Sequence, residues 1–129
     1  MIDKTLSSGL EDYLECIFNN IQVSGAVKAI EISRELEVSR ASVTDALHRL
    51  AEKKYINYER YGTISITDKG VNKAKEIIEK HTILKRFFAD VLSLSEEEST
   101  ENACRIEHVI TSEAFNKLRE YTISHSGNN

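Results

Sequence analysis

Between Ala29 and Thr67 the apolar residues change their period partway along, and few folds accommodate that change. Ala29-Ile30-Glu31-Ile32-Ser33-Arg34-Glu35-Leu36 reads as a short helix, and Glu37-Val38 as a tight turn. Ser39 carries the hydroxyl that an N-cap needs, so a second helix is predicted from there to about Lys53. Within it Val43, Ala46, Leu47 and Leu50 recur at helical intervals and form a face to be buried. Ala41, Thr44, Asp45 and His48 form the opposite stripe, with Arg40 and Arg49 beside it. The period then falls to two. Tyr55-Ile56-Asn57-Tyr58-Glu59 and Thr63-Ile64-Ser65-Ile66-Thr67 alternate about Arg60-Tyr61-Gly62, which predicts a β-hairpin. Two short helices joined by a tight turn, the second exposing small polar and basic residues, make a helix-turn-helix pattern. A hairpin directly after it is the wing of a winged helix.

The flanks read as helix. Ser8 and Glu11 stand in capping-box relation, and Leu10, Tyr13, Leu14, Ile17, Phe18 and Ile21 follow as a wide apolar stripe. That predicts a helix through about Ile21, with Ser24-Gly25 breaking the pattern. Asp12, Glu15 and Asn19 lie on another stripe, with Cys16 at its border. Beyond the hairpin, Asp68-Lys69-Gly70 opens a long helix to about Val91, with Val71, Ala74, Ile78, His81, Leu84 and Phe88 on its inner stripe. Ser93-Leu94-Ser95 ends that run, and Glu96 to Glu98 form an acidic first turn of the next helix. A last helix is expected from about Ser112 to Tyr121, presenting Ala114, Leu118 and Tyr121, with Ser124 to Asn129 frayed. The fold class expected is mainly α with a small β-hairpin wing. The winged helix-turn-helix would span residues 1–70 and a helical domain residues 71–129.

Charge decides whether nucleic acid is a plausible partner. The net charge is −4, but residues 28–86 hold 13 Lys and Arg against 9 Asp and Glu, and the rest 4 against 12. A basic centre with acidic flanks fits a nucleic-acid lobe joined to a cation-binding lobe. No apolar run is long enough to span a bilayer and no secretory leader is visible, so a soluble cytoplasmic protein is expected. Two cysteines, Cys16 and Cys104, do not make a disulfide framework and read as reduced thiols.

Cys104, Glu107 and His108 form a C-x-x-E-H cluster. On a helix these positions share one face, so a thiolate, a carboxylate and an imidazole would point the same way. Asp12 and Glu15 add a second pair at helical spacing, and His81 lies on the apolar stripe of a third segment. Taken singly, His81 also fits a core histidine, and Asp12 and Glu15 a solvated face. Packed helices would bring these groups together, and like charges gathered in a core need a cation. The mixed donor set suits Fe²⁺, Mn²⁺, Co²⁺, Ni²⁺ or Zn²⁺ rather than Ca²⁺ or Mg²⁺. The thiolate favours iron, cobalt, nickel or zinc, whereas Asp12 and Glu15 favour manganese. No H-E-x-x-H, C-x-x-C, P-loop or G-x-S-x-G motif occurs, and no catalytic residue is assigned.

With these residues in place, the chain resembles the metal-dependent repressors of the diphtheria toxin repressor and manganese transport regulator family. The likeness runs from Glu11-Asp12-Tyr13-Leu14 to Ser112-Glu113 and is strongest at Asn102 to Val109, the winged helix and Lys80-His81. It implies an N-terminal winged helix followed by a helical dimerisation domain, with metal sites between the two. It implies ligand roles for Cys104, Glu107 and His108 from the toxin-repressor branch, for Asp12 and Glu15 from the manganese branch, and for His81 from both. Lys85 and Thr100 stand where the toxin-repressor branch places a carboxylate and a histidine of its ancillary site. Asp45 replaces a neutral residue of the recognition helix, where it would repel phosphate or prefer cytosine N4.

The function expected is a homodimeric, metal-dependent repressor that senses Fe²⁺ or Mn²⁺ and controls metal-homeostasis genes. Ser39, Arg40, Ala41, Ser42 and Thr44 would enter the major groove of an operator, with His48 and Arg49 on the same helix and Arg60 and Tyr61 at the wing tip. The alternative is a metal-independent winged-helix adaptor that binds protein through its acidic helical half.

Overall fold

The computed structural model describes residues 6–59 and 62–126. Arg60 and Tyr61, expected at the wing tip, lie outside the described residues. The element order is α1 (Ser8–Ser24), α2 (Ala29–Leu36), α3 (Arg40–Glu52), β1 (Ile56–Tyr58), β2 (Ile64–Ile66), α4 (Asp68–Arg86), a π-helical segment (Phe87–Val91), α5 (Glu96–Ile106) and α6 (Ser112–Ser126). This is the mainly helical, winged helix-turn-helix architecture expected. Contacts divide it into two compact units that meet in sequence at Lys75 and Glu76. No helix among the described residues is long and apolar enough to cross a membrane.

In the first unit, α1 starts one residue earlier than its capping box implied. Ser7 is the cap, accepting from the Leu10 amide at 3.3 Å, because the Glu11 amide is already bonded to the Ser7 carbonyl. The helix also runs past Ile21 to Ser24, where Gly25 at φ 82° returns its amide to the Ile21 carbonyl. That left-handed geometry is one glycine adopts without strain. Helix α2 begins with Glu31 accepting the Lys28 amide at 2.7 Å, and α3 with Ser39 accepting the Ser42 amide at 3.1 Å. Val43, Ala46, Leu47 and Leu50 of α3 are buried with Leu14 and Ile17 of α1 and Ile32 of α2. Strands β1 and β2 pair antiparallel, Ile56 opposite Ile66 and Tyr58 opposite Ile64. Gly70, in the first turn of α4, lies where any Cβ would run into the Tyr55 carbonyl and the Ile66 side chain. The hairpin therefore docks on backbone.

In the second unit, Ile83, Leu84, Ala103 and Phe115 form a core, with Phe88, Ile106, Ile110 and Leu118 packed against it. The long helix does not stay α-helical to Val91. It widens to π geometry after Arg86, with the Leu92 amide bonded to the Phe87 carbonyl at 3.2 Å. Its inner stripe is also shifted. Ala74, Ile77, Ile83 and Leu84 are buried, while Val71, Ile78, His81 and Phe88 are half-buried. Burying Ile83 beside Leu84 rotates the helix about its axis and leaves Ile78 and His81 at the edge of the face. Helix α6 remains helical through Ser126, beyond the Tyr121 expected, and buries Phe115 and Thr122 instead of Ala114 and Tyr121. Thr122 can be buried because its hydroxyl donates to the Leu118 carbonyl at 2.7 Å.

Candidate functional site

The second unit gathers four of the expected ligands. Helix α5 holds only Cys104, since it ends at Ile106. Glu107 is its C-cap, with its amide on the Ala103 carbonyl at 3.0 Å, and His108 follows in the turn. The expected single-helix face is thus a helix end. Glu107 keeps near-helical backbone angles, φ −55° and ψ −29°, so its side chain still projects on the Cys104 side. Helix α4 brings His81 to the same point.

Glu107 is the hub. Its side chain is only 4% exposed, Oε1 lies 2.7 Å from His81 Nδ1, and Oε2 lies 3.4 Å from His108 Nε2. Cys104 Sγ is 3.9 Å from the same His81 nitrogen. Donor atoms of His81, Cys104 and Glu107 all fall within 4.8 Å of one another. Metal–ligand bonds of about 2.0–2.3 Å put donors around one ion roughly 3–4 Å apart, so this set fits a common cation. A buried carboxylate facing two imidazoles and a thiol is stable as a charge only where a cation or proton accompanies it. Sulfur, nitrogen and oxygen together select a transition metal.

Asp12 and Glu15 belong to the first unit. They lie on α1, Asp12 exposed and Glu15 partly so, and with Cys16, Asn19, Glu35 and Leu36 line a cavity of about 180 Å³. Cys16 is not at the border of that stripe but buried. Burial, reinforced by Glu35, pushes its thiol up to about 12, and Asn20 donates to its sulfur at 3.5 Å. Cys16 is a structural thiol.

On α3 the expected DNA-contacting residues Ser39, Arg40, Ala41, Ser42, Thr44, His48 and Arg49 are all exposed, opposite the buried face. Ser39 and Ser42 hydroxyls are 2.9 Å apart at the helix start. The His48 ring meets Tyr58 of β1 edge-on with centroids 5.3 Å apart, so recognition helix and wing touch through aromatic rings. One feature was not read from spacing: Arg49 Nε donates to Asp45 Oδ2 at 2.9 Å. Their i, i+4 relation was the available signal.

Comparison with known proteins also matches the chain in two parts. Residues 5–64 match the family model "Iron dependent repressor, N-terminal DNA binding domain", and residues 67–123 match "Iron dependent repressor, metal binding and dimerisation domain". An uncharacterized HTH-type transcriptional regulator of Methanocaldococcus jannaschii is 35% identical over 115 residues, covering 88% of this chain and 92% of that protein. The HTH-type transcriptional regulator MntR of Oceanobacillus iheyensis is 27% identical over 109 residues, 84% of this chain and 74% of its own length. Among solved structures, IdeR of T. acidophilum superposes with a TM-score of 0.75 at 28% identity, covering 91% of this chain. This chain spans 53% of that one.

Proposed function

This chain belongs to the iron dependent repressor family of metal-dependent transcriptional repressors, and from that premise we propose that it is a homodimeric, DNA-binding repressor whose operator affinity is set by Fe²⁺ or Mn²⁺. The observation that carries the reading is Glu107, a buried carboxylate with an imidazole on each oxygen and a thiol nearby, inside the segment matched to a metal-binding and dimerisation domain. His81, Cys104, Glu107 and His108 would hold the ion, with Asp12 and Glu15 completing this site or a neighbouring one. Co²⁺, Ni²⁺ and Zn²⁺ suit the same donors. A bound divalent cation would supply the positive charge that lets Glu107 and the Cys104 thiolate both stay ionised.

The chain's own residues do the rest. His81 ties α4 to the end of α5, and Glu107 with His108 fixes the turn that leads into α6. If Asp12 and Glu15 join them, ligation also restrains the DNA-binding domain (residues 1–70) against the helical domain (residues 71–129). A dimer reads two half-sites at a set spacing, so restricting the orientations of its recognition helices raises affinity. Ser39 and Ser42 suit phosphates, Ala41 a thymine methyl, and Arg40 a guanine edge or phosphate. Thr44, His48 and Arg49 extend that surface, and Arg60 and Tyr61 would touch backbone or minor groove. The genes controlled would be those of metal homeostasis, the site of action the cytoplasm, and the reading includes no catalytic step.

The test is operator binding followed by gel shift while Mn²⁺, Fe²⁺, Co²⁺ and Zn²⁺ are titrated in turn against chelator. Coupling of about 5- to 150-fold is expected for at least one metal. Equal occupancy in chelator and in excess of every metal sinks the proposal.

A further inference from the structure

Asp45 is a carboxylate in the middle of the DNA-facing stripe of α3, where a negative charge should repel phosphate. Its position says otherwise. Arg49 Nε donates to Asp45 Oδ2 at 2.9 Å, one helical turn on, and both side chains are more than half exposed. The acid precedes the base, the favourable order for an i, i+4 pair. Burial, and after it the Asp45 charge, pushes the Tyr13 phenol up. Tyr13, Ser42, Asp45 and Arg49 share a shallow groove of about 270 Å³ with Ser7 and Leu10. A guanidinium has five N–H donors in a rigid plane. This pair uses the one on Nε, and the two terminal nitrogens carry the other four, directed along the plane away from Cζ.

We propose that Asp45 is a positioning residue. It holds the Arg49 guanidinium so that its terminal edge meets a DNA phosphate, and Arg49 in turn offsets the Asp45 charge. Arg49 lies near the C-terminal end of the recognition helix, where contacts fall on the backbone, whereas base edges are read from the N-terminal end. The inference rests on the DNA-binding reading above.

Fluorescence anisotropy of the whole 129-residue chain, loaded with Mn²⁺, on a duplex of arbitrary sequence tests it, repeated over a range of salt concentrations. Wild type, Asp45→Ala, Asp45→Asn, Arg49→Ala and the double alanine variant are compared. Both side chains sit at exposed helix positions, so folding is not at issue. Arg49→Ala should weaken binding about tenfold and reduce the log–log salt slope by about one, the signature of one lost phosphate contact. Asp45→Ala should weaken binding about two- to threefold, the scale of an exposed i, i+4 pair, and flatten the slope in the same direction. Asp45→Asn keeps an acceptor for Nε and should bind at least as tightly as wild type. The double variant should bind more tightly than Arg49→Ala, because no unpaired carboxylate is left. Tighter binding and a steeper slope for Asp45→Ala would show a merely repulsive charge and overturn the inference. An unchanged slope for Arg49→Ala overturns it too. Wild type that leaves the duplex unbound overturns the DNA-binding reading itself and this inference with it.

Discussion

Glu107 and the two cysteines carry the residue-scale consequences. Glu107→Ala removes the carboxylate that faces both His81 and His108, so two imidazoles lose a partner at a cost of about 1–3 kcal/mol. Circular dichroism should still report a folded helical protein, while metal-stimulated DNA binding disappears. Full stimulation by metal in this variant would remove Glu107 from the site. The thiols should behave oppositely towards iodoacetamide. Cys104 is exposed and should be alkylated first, more slowly once Mn²⁺ or Zn²⁺ is present. Cys16, buried and with its thiol raised to about 12, should be spared, as peptide mass mapping would show. The same shift has a pH consequence. An ordinary cysteine loses its proton near pH 9 once unfolded, whereas folded Cys16 keeps it to about 12. The unfolded chain therefore binds fewer protons in that window, and Cys16 makes stability fall as pH rises from 9 to 12. Denaturant melts of Cys16→Ala should show a shallower decline over that range, and an identical decline would count against the buried thiol.

At the scale of elements, caps and close approaches set what each helix tolerates. Ser39 holds the first turn of the recognition helix through the Ser42 amide, and Ser39→Ala should cost about 1 kcal/mol in chemical denaturation. It should also weaken DNA binding, since that turn presents Arg40 and Ala41; unchanged melting would show that the hydrogen bond contributes nothing. Gly70→Ala is more severe. The added methyl meets the Tyr55 carbonyl, which is backbone and itself accepts from the Thr67 amide at 3.1 Å. Overpacking there should cost roughly 1–3 kcal/mol and loosen the hairpin, read as a lower melting temperature with altered wing resonances in NMR. Most elements could be read from sequence because periodicity reports which face is buried. The recognition-helix face Val43, Ala46, Leu47 and Leu50 matches residue for residue. The errors cluster at ends, as at Ser7, Ser24, Phe87 and Ser126, where competing hydrogen bonds of similar strength decide the last turn.

For the molecule as a whole, the metal should act as a ligand of the folded state. A divalent ion at a hundredfold excess over its dissociation constant stabilises by about 2.7 kcal/mol, so Mn²⁺ or Co²⁺ should raise the thermal midpoint of wild type and not of Glu107→Ala. A shift of equal size in both would place the binding elsewhere. The C-x-x-E-H spacing, the helix-turn-helix face and the hairpin were legible in the chain because each depends on neighbours a few residues apart, where helix and strand geometry translate spacing directly into direction. What only tertiary structure decided is that His81, 26 residues from Glu107, closes on its carboxylate, that α5 stops short of carrying the whole cluster, and that Cys16 is walled in while Cys104 stays open. Those outcomes depend on how separate helices rotate to bury Ile83, Leu84, Ala103 and Phe115 together. Packing a core couples every helix to the others, and no local period encodes that choice.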